Sequence, residues 1–453
     1  MKSGYGFWTL VSLVISSMVG TGIFISFSFQ AAYVQNQPTI LALWIVGGLI
    51  ALTGALSYSD ISRLIPRSGG EYAFLDKLLH PSFGFSAGFI SVFAGFAGPL
   101  AIASITLGEY ALKSNAFSGL DFEAFSMGVF VLGPAQCIGL LTLLTLSACH
   151  SISLRIGGKL QNSLTVVKLG ILSVILIGAF TQGEEPINLS LDAAFWDKTL
   201  DIGFAEQLVW VWLAYSGWNA AVYVASEIPD AKRLIPRALV IGASFVTVLY
   251  VLLTLAFMRS IPSEAFFTGN DLELTVIYES GKHLFGQSMA SNLSLLVSIS
   301  LLATLSGMVI IGPRVLKAMG EDNRMLQYFA KTDIKSQLPL RAVWIQTGIA
   351  CLLILLPIQH LVMSVGSSLS IMATLTVLSY VEHSVKHPHV ERSVYFPWIH
   401  ILFILLNIGM LILIVRQQGM QASLVMLLVS LYLYARLNRN QSTETIYPNS
   451  NET

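Results

Sequence analysis

The chain alternates long apolar runs with short polar loops along almost its whole length. Twelve of these runs approach or exceed the roughly 20 apolar residues that a membrane-spanning helix needs. No separate soluble domain or low-complexity segment interrupts the pattern. It predicts an all-α integral membrane protein with twelve transmembrane helices, over residues 7–33, 40–62, 83–112, 128–150, 159–180, 203–226, 237–258, 287–319, 342–358, 360–382, 396–415 and 420–437.

The composition supports a membrane protein. It is 54% hydrophobic and only 11% charged, whereas soluble domains carry roughly 25% charged residues. The first run is 27 residues long, too long for a signal-peptide core, and we interpret it as a retained helix. All three cysteines (Cys137, Cys149 and Cys351) lie within apolar runs, so no disulfide framework is expected.

The basic residues predict the orientation of the chain. If the N-terminus lies in the cytoplasm, nineteen basic residues face the cytoplasm and five face the opposite side. An excess of Lys and Arg in cytoplasmic loops is the positive-inside pattern. We therefore expect a multi-pass protein of the cell (plasma or inner) membrane with both termini in the cytoplasm, including a tail over residues 438–453.

Two of the runs contain weak helical turns near their middle. The first, "ISSMVGTGIFIS", contains Gly20, Thr21 and Gly22, and the sixth, "VWLAYSGWNAAVY", contains Ser216 and Gly217. Glycine costs about 1 kcal/mol relative to alanine inside a helix. Small residues also allow close helix packing, but paired interruptions favour a transport site, because broken membrane helices persist only where they line a cavity or are buried in protein.

The two interruptions occupy corresponding positions if runs one to five and six to ten form two halves. Because five crossings is an odd number, the second half must be inverted relative to the first. We therefore expect a single transmembrane domain over residues 1–453, with a first repeat over 1–182, an inverted repeat over 203–384 and two peripheral helices over 396–437. This repeat rests on topology, since the two halves show no convincing residue identity.

Lys168 is the clearest charge deep within an apolar run, "LTVVKLGILSVILIG". It lies roughly 15 Å along the helix from Lys159, at 1.5 Å per residue, and therefore near the membrane midplane. A lysine at a helix centre costs at least about 2.5–3.5 kcal/mol on insertion scales. We interpret Lys168 either as a fixed or titrating cation facing a cavity, or as a donor to stray carbonyls of a broken helix.

The sequence contains no pattern typical of catalysis. We find no His/Cys/Asp/Glu cluster at metal-ligand spacing, no phosphate-binding loop and no arguable Ser/His/Asp set. We therefore predict no enzymatic activity, no cofactor or metal, and no nucleic-acid partner. Asp60 and Glu227, at the cytoplasmic ends of their runs, are expected to pair with the adjacent basic loops.

Four segments resemble the amino acid–polyamine–organocation (APC) transporter superfamily, especially its L-type amino acid transporters and their bacterial relatives. They are "VGTGIF", "GALSYSDISRLIPRSGGEYAFLDKLL", "AYSGWNAAVYVASEIPDAKRLIPRAL" and "GPRVLKAMGEDNRML". The resemblance covers roughly residues 1–110 and 205–330, together with "QNSLTVVKL". It implies a five-plus-five inverted repeat of the leucine-transporter type, with broken helices 1 and 6 and two peripheral helices.

The resemblance also implies a substrate site. In the family, backbone N–H groups of the broken first helix bind the α-carboxylate, and the matching residues here are Gly20, Thr21 and Gly22. Carbonyls of the broken sixth helix bind the α-ammonium, and the matching residues are Leu213, Ala214, Tyr215, Ser216 and Gly217. Asn219 matches a position that contacts substrate in the L-type group.

Two further features follow from the resemblance. Many L-type members have an aromatic gate at the position of Leu213, so the gate here passes to Tyr215 or Trp218, or is looser. Lys168 matches a lysine that replaces the sodium ion in sodium-independent relatives. Heteromeric members bind a partner through a cysteine after the third span, but residues 113–130 contain none. No disulfide-linked partner subunit is therefore expected.

These observations predict a secondary transporter that moves an amino acid substrate across the lipid bilayer by alternating access. Transport is expected to be sodium-independent, by exchange, uniport or proton-linked uptake. The two interrupted segments contain no Asp, Glu, Lys or Arg, which favours neutral L-amino acids over cationic amino acids or polyamines. A non-transporting amino acid sensor on the same scaffold would keep the same pocket and is the alternative.

Overall fold

A computed structural model describes residues 4–117, 119–120, 122–128, 130–262, 275–356, 358–416 and 421–446. Part of the predicted tail over 438–453 therefore lies outside the described residues. The described chain is almost entirely helical, with one two-stranded antiparallel sheet.

The described residues up to Gln182 contain ten helical segments and the sheet. They are α1 (Phe7–Met18), α2 (Gly22–Val34), α3 (Gln37–Leu64), α4 (Glu71–Leu78), α5 (Pro81–Ile90), a π-helical segment (Ser91–Ala97), α6 (Gly98–Leu112), a 3₁₀ turn (Asn115–Phe117), β1 (Phe125–Met127), β2 (Phe130–Leu132), α7 (Pro134–His150) and α8 (Leu154–Gln182). The next helices are α9 (Ala193–Leu200), α10 (Ile202–Ala214), a 3₁₀ helix (Ala220–Glu227), α11 (Ala231–Ser260), α12 (Thr275–Phe285), α13 (Gln287–Asp322), a 3₁₀ turn (Arg324–Leu326), α14 (Gln327–Ala330), α15 (Leu340–Ile354), α16 (Ile358–Lys386), α17 (Trp398–Arg416) and α18 (Gln421–Ile446).

Six described helical stretches are long and apolar enough to cross a membrane, by length and composition. They are Gln37–Leu64, Pro81–Leu112, Leu154–Gln182, Ala231–Ser260, Met289–Asp322 and Trp398–Arg416. Shorter apolar helices cover Phe7–Met18, Pro134–His150, Ile202–Ala214, Leu340–Ile354 and Ser423–Arg436. Every predicted apolar run overlaps at least one helix.

The fourth and last runs differ from their predicted bounds. The helix predicted from residue 128 begins at Pro134, because the preceding residues form the β1–β2 hairpin, in which Phe125 pairs with Leu132. A proline in the first helical turn loses no hydrogen bond, so Pro134 is a natural helix start. At the other end of the chain, α18 continues to Ile446 rather than ending at residue 437.

The third run contains a change of helix type that the hydrophobic pattern does not reveal. Between α5 and α6, residues Ser91–Ala97 are π-helical, and the N–H of Gly98 donates to the carbonyl of Phe93. Pro99 follows directly and has no N–H of its own to donate. Such π segments often occur at functional sites, and this one contributes to the cavity described below.

Both predicted interruptions are present. The helix in the first run stops at Met18 and restarts at Gly22, and the sixth run passes from α10 through a turn at Tyr215–Asn219 into a 3₁₀ helix. Gly217 within this turn has φ +97°, a conformation that glycine adopts at little cost. Around these breaks, α1 packs on α8, α11 and α13, and α10 packs on α2 and α3.

Candidate functional site

A cavity of about 120 Å³ lies beside the break in the sixth run. At roughly 10–15 Å³ per water by this measure, it has room for on the order of ten water molecules, or for a small organic molecule. Its lining residues come from α1, α4, the π segment, the start of α6, the end of α10, the sixth-run break with the 3₁₀ helix that follows it, α13, α16 and α17.

The predicted site residues divide into two groups. Those that line the cavity are Leu213, Ser216, Gly217, Trp218 and Asn219. Those that do not line it are Gly20, Thr21, Gly22, Lys168, Ala214 and Tyr215. The cavity therefore belongs mainly to the sixth-run break, and the first-run break lies at its edge, where it contributes Ser17.

Lys168 lies at the first-run break, near the middle of α8. Its exposed fraction is 1%. Its Nζ donates to the carbonyl of Val19 and, at 2.6 Å, to Thr304 Oγ1. The Thr304 hydroxyl also lies 3.1 Å from the Val19 carbonyl oxygen. The Lys168 ammonium therefore donates to the Val19 carbonyl, which has no donor within the helix because α1 ends beside it.

The start of α2 presents N–H groups without helical acceptors at the same break, after Gly20, whose own N–H donates to the Met18 carbonyl at 2.9 Å. The first N–H groups of any helix have no acceptor within the helix, and Thr21, at the N-cap, makes no side-chain capping bond. The space beside Gly20 is open, since an added Cβ would meet only a methyl group of Thr304, at 3.9 Å. An anionic group is favoured at such a position by the N–H groups and by the helix dipole.

The two breaks touch each other through their glycines. A Cβ added at Gly22 would lie 2.7 Å from the Cα of Ala214. One added at Gly217 would lie 2.7 Å from the carbonyl oxygen of Ser17. Real Cβ contacts are not this short, so each glycine is required for the close approach of the two chain segments.

Tyr250, on α11, bridges the two breaks. Its hydroxyl lies 2.7 Å from the carbonyl oxygen of Met18 and 3.2 Å from that of Ala214. The side chain is fully buried. Sequence reasoning missed this residue, because a tyrosine in an apolar run gives no signal that distinguishes it from a packing residue.

The two expected gate residues face different environments. Tyr215 is buried, and its hydroxyl donates to the carbonyl of Trp44 at 2.9 Å. Trp218 lines the cavity and packs edge-on against Tyr58 and Phe403, with ring centroids 4.7 Å and 5.8 Å apart. Of the two residues, Trp218 lines the cavity and Tyr215 does not.

A buried carboxylate, Glu71, also lines the cavity. Its Oε1 accepts from the Tyr58 hydroxyl at 2.8 Å and from Asn219 Nδ2 at 2.7 Å, and its Oε2 accepts from the Tyr223 hydroxyl. The two interrupted segments contain no Asp, Glu, Lys or Arg, so the acidic group of the cavity comes from elsewhere in the chain. Glu71 belongs to the "PRSGGEY" segment, in the predicted loop between the second and third apolar runs.

The backbone explains how this loop reaches the cavity. Gly69 and Gly70 have φ of +116° and +56°, which allows a sharp turn after α3. The turn places Glu71 as the first residue of α4, where the helix dipole favours a negative charge. Hydropathy cannot predict such a return, because it depends on backbone conformation and not on the polarity of the segment.

Glu227 lies in a buried ion pair at the end of the 3₁₀ helix that follows the sixth-run break. Its carboxylate binds Arg314 through two bonds of 3.0 Å, from Nε and Nη2. Arg314 also lies 3.3 Å from the hydroxyl of Tyr5. We expected Glu227 to pair with a basic residue of the adjacent loop. That expectation is wrong, because its partner Arg314 is buried within α13. Asp60 pairs with Arg63, as expected of a neighbouring basic residue.

A second charged cluster connects the chain after α3 to the end of α13. Asp322 accepts from the Tyr72 hydroxyl and pairs with Arg67, both at 2.7 Å. Burial, together with this hydrogen bond, raises the pKa of Tyr72. Burial opposes the charge of Arg67, but the hydrogen bond and charge of Asp322 outweigh it and raise its pKa. The cluster is thus a charged contact between the segment that follows α3 and the end of α13.

An apolar helical chain in which two broken helices meet beside a small cavity has the architecture of a secondary transporter. The family model described as "Amino acid permease" matches residues 5–434. The chain therefore belongs to the amino acid permease family, within the APC superfamily. It is a multi-pass membrane protein of amino acid transport and not an enzyme.

Individual relatives agree with this family. The chain is 26% identical to the serine/threonine exchanger SteT of Bacillus subtilis, over 72% of this chain and 70% of the relative. It is 24% identical to the human b(0,+)-type amino acid transporter 1, over 85% and 77%. It is 27% identical to the mouse large neutral amino acids transporter small subunit 2, over 89% and 75%.

Proposed function

We propose that the protein carries neutral L-amino acids across the cell membrane by alternating access, without sodium. The observation that carries this proposal is the opposite polarity of the two adjoining breaks. An amino acid is a zwitterion, and its two charged groups require one donor-rich and one acceptor-rich region close together.

The first-run break supplies the donor-rich region. The N–H groups at the start of α2 lack helical acceptors, and Lys168 adds a buried positive charge beside them. We assign the α-carboxylate to the N–H groups of Gly20, Thr21 and Gly22. Lys168 itself acts as a fixed cation that holds the end of α1.

The sixth-run break supplies the acceptor-rich region. We assign the α-ammonium to backbone carbonyls of Leu213, Ala214, Tyr215, Ser216 and Gly217. The turn at Gly217 breaks the helical ladder there, and the Glu71 carboxylate lies on the same side of the site, bonded to Asn219. Trp218 is the proposed gate, because it is the gate candidate that lines the cavity.

The cavity supports a neutral substrate side chain. Among the described residues that line it, Glu71 is the charged one, and its oxygens already accept from three neutral donors. Two of the relatives are named for serine/threonine and for large neutral amino acids. A carrier of cationic amino acids or polyamines would need Glu71 to release these donors and bind the substrate cation.

We further propose that the twelve predicted helices form the five-plus-five inverted repeat, with boundaries at 1–182 and 203–384, peripheral helices at 396–437 and both termini in the cytoplasm. Tags at 113–130 and 183–200 should then react from outside intact cells, and tags at 227–236 and 320–340 should not. External labelling of 320–340 would contradict this topology. The absence of cysteine from residues 113–130 supports a carrier without a disulfide-linked partner.

Uptake by the purified protein in proteoliposomes tests the function. Labelled neutral amino acids should accumulate equally well in sodium, potassium or choline buffer, and unlabelled neutral amino acids should compete better than lysine or spermidine. Binding of substrate without any uptake or exchange would instead indicate the sensor alternative. Strict sodium dependence would contradict the fixed-cation role of Lys168.

A further inference from the structure

Glu71 and Asn219 form a polar contact on the cavity wall. Glu71 comes from α4, Asn219 from the sixth-run break, and they lie 148 residues apart in the chain. The Asn219 Nδ2 lies 2.7 Å from Glu71 Oε1 and 3.4 Å from the Tyr223 hydroxyl. The amide nitrogen therefore faces the Glu71 carboxylate and the Tyr223 hydroxyl, two groups of the cavity wall.

The charge of Glu71 decides which way the amide faces. An ionised carboxylate can only accept hydrogen bonds, whereas an amide can present either its nitrogen or its oxygen. Asn219 must therefore turn Nδ2 toward Glu71 and Oδ1 away from it. Within the part of the chain that the structure describes, no group donates to this Oδ1, and Asn219 is half-buried against the cavity.

The position of Asn219 indicates which part of the substrate meets this oxygen. Asn219 lines the cavity, whereas Gly20, Thr21 and Gly22 do not. With the α-carboxylate at the start of α2, the substrate side chain extends into the cavity, toward Asn219. A free acceptor at this point favours a side chain that donates a hydrogen bond.

We infer that Glu71 is a positioning residue that holds Asn219 Oδ1 toward the substrate side chain, so that the site selects hydroxyl-bearing amino acids. The inference rests on the proposed function and narrows it from neutral amino acids to those with a short hydroxyl side chain. A site built around a hydrogen bond discriminates strongly, because a substrate without the donor leaves a desolvated acceptor unpaired.

Pairs of similar-sized substrates test this selectivity in proteoliposomes: serine against alanine, and threonine against valine. For the wild type, kcat/KM should favour the hydroxyl member of each pair by about tenfold or more. Glu71→Gln lets the amide turn either way, so the ratio of kcat/KM for serine to that for alanine should fall toward one, with the larger loss for serine, seen as a higher KM. Asn219→Leu, which keeps the volume and removes Oδ1, should also remove the preference.

A reciprocal exchange separates positioning from mere structural support. In the double variant Glu71→Gln with Asn219→Asp, the glutamine amide donates to one aspartate oxygen and the other oxygen faces the cavity. The serine preference should return to within about threefold of the wild type. Asp76→Asn, on the same helix but away from the cavity and beside Lys77, is the control for charge loss and should change nothing.

The outcomes separate this inference from the proposed function. Wild-type uptake with equal kcat/KM for serine and alanine would overturn the inference alone. So would a Glu71→Gln protein that loses serine and alanine uptake equally and is not rescued by Asn219→Asp. A wild type that takes up no amino acid of the panel would overturn the proposed function, and this inference with it.

Discussion

The two broken helices differ in what stabilises them. The first-run break is short, restarts as an α-helix at Gly22 and has a buried cation, Lys168, on its free carbonyl. The sixth-run break turns at Gly217, continues as a 3₁₀ helix and has a buried anion, Glu71, on its Asn219 amide. The two interruptions are similar in the sequence, but in the folded protein a buried cation bonds to the first and a buried anion bonds to the second.

Under the proposed function, this difference allows one small site to distinguish the two ends of a zwitterion. A buried charge is costly unless it is hydrogen-bonded, and each of these charges bonds to the break it supports. The glycines set how closely the breaks approach, and Tyr250 connects them. Each of these three features can be removed separately, and the effects should differ in size.

The glycines should give the largest effect. Gly22→Val or Gly217→Val should abolish substrate binding while the protein still inserts, because each new Cβ would collide at 2.7 Å with the opposite break. At Gly217 a β-branched residue would also be strained at φ +97°. Binding can be measured by scintillation proximity on purified protein.

Gly170→Val is the control, since an added Cβ there meets nothing within 4 Å. If the Gly22→Val protein binds substrate with wild-type affinity, Gly22 serves only helix packing and not substrate binding.

Removing the cation should come next. Lys168→Ala removes the donor to the Thr304 hydroxyl and one of the two donors to the Val19 carbonyl, which keeps Thr304. A buried group that loses its partner costs about 1–3 kcal/mol. Initial uptake in proteoliposomes should fall more than tenfold. Lys168→Arg should not fully restore it, because the planar guanidinium is larger than an ammonium. Full activity of Lys168→Ala would show that the first-run break needs no cation.

The bridge between the breaks should have the smallest effect. Tyr250→Phe removes one hydroxyl that lies between the carbonyls of Met18 and Ala214. Loss of one buried hydrogen bond is worth about 0.5–1.5 kcal/mol, so kcat/KM should fall roughly two- to tenfold. Tyr110→Phe is a matched control, because that buried hydroxyl has no partner in the described chain. If Tyr250→Phe and Tyr110→Phe lower kcat/KM equally, the Tyr250 hydroxyl has no specific role at the site.

Much of the fold could be predicted from the sequence because its signals are local. The length of each apolar run indicates a helix in lipid, and glycines within a run indicate where the helix weakens. The same reasoning identified Lys168, because a charge deep in an apolar run is costly wherever its side chain points. The π-helical segment before Pro99 escaped prediction, since hydropathy does not distinguish one helix type from another.

The sequence by itself determined that this is a helical membrane protein, that its first and sixth runs are interrupted, and that Lys168 is buried in the fifth. The tertiary structure alone decided what meets at the interruptions. Glu71 reaches Asn219 across 148 residues because two glycines turn the chain back toward the cavity. Tyr215 points to Trp44 rather than into the cavity because of how α10 packs on α3. Hydropathy and backbone propensity act over a few residues, whereas contacts between distant segments depend on how the helices pack.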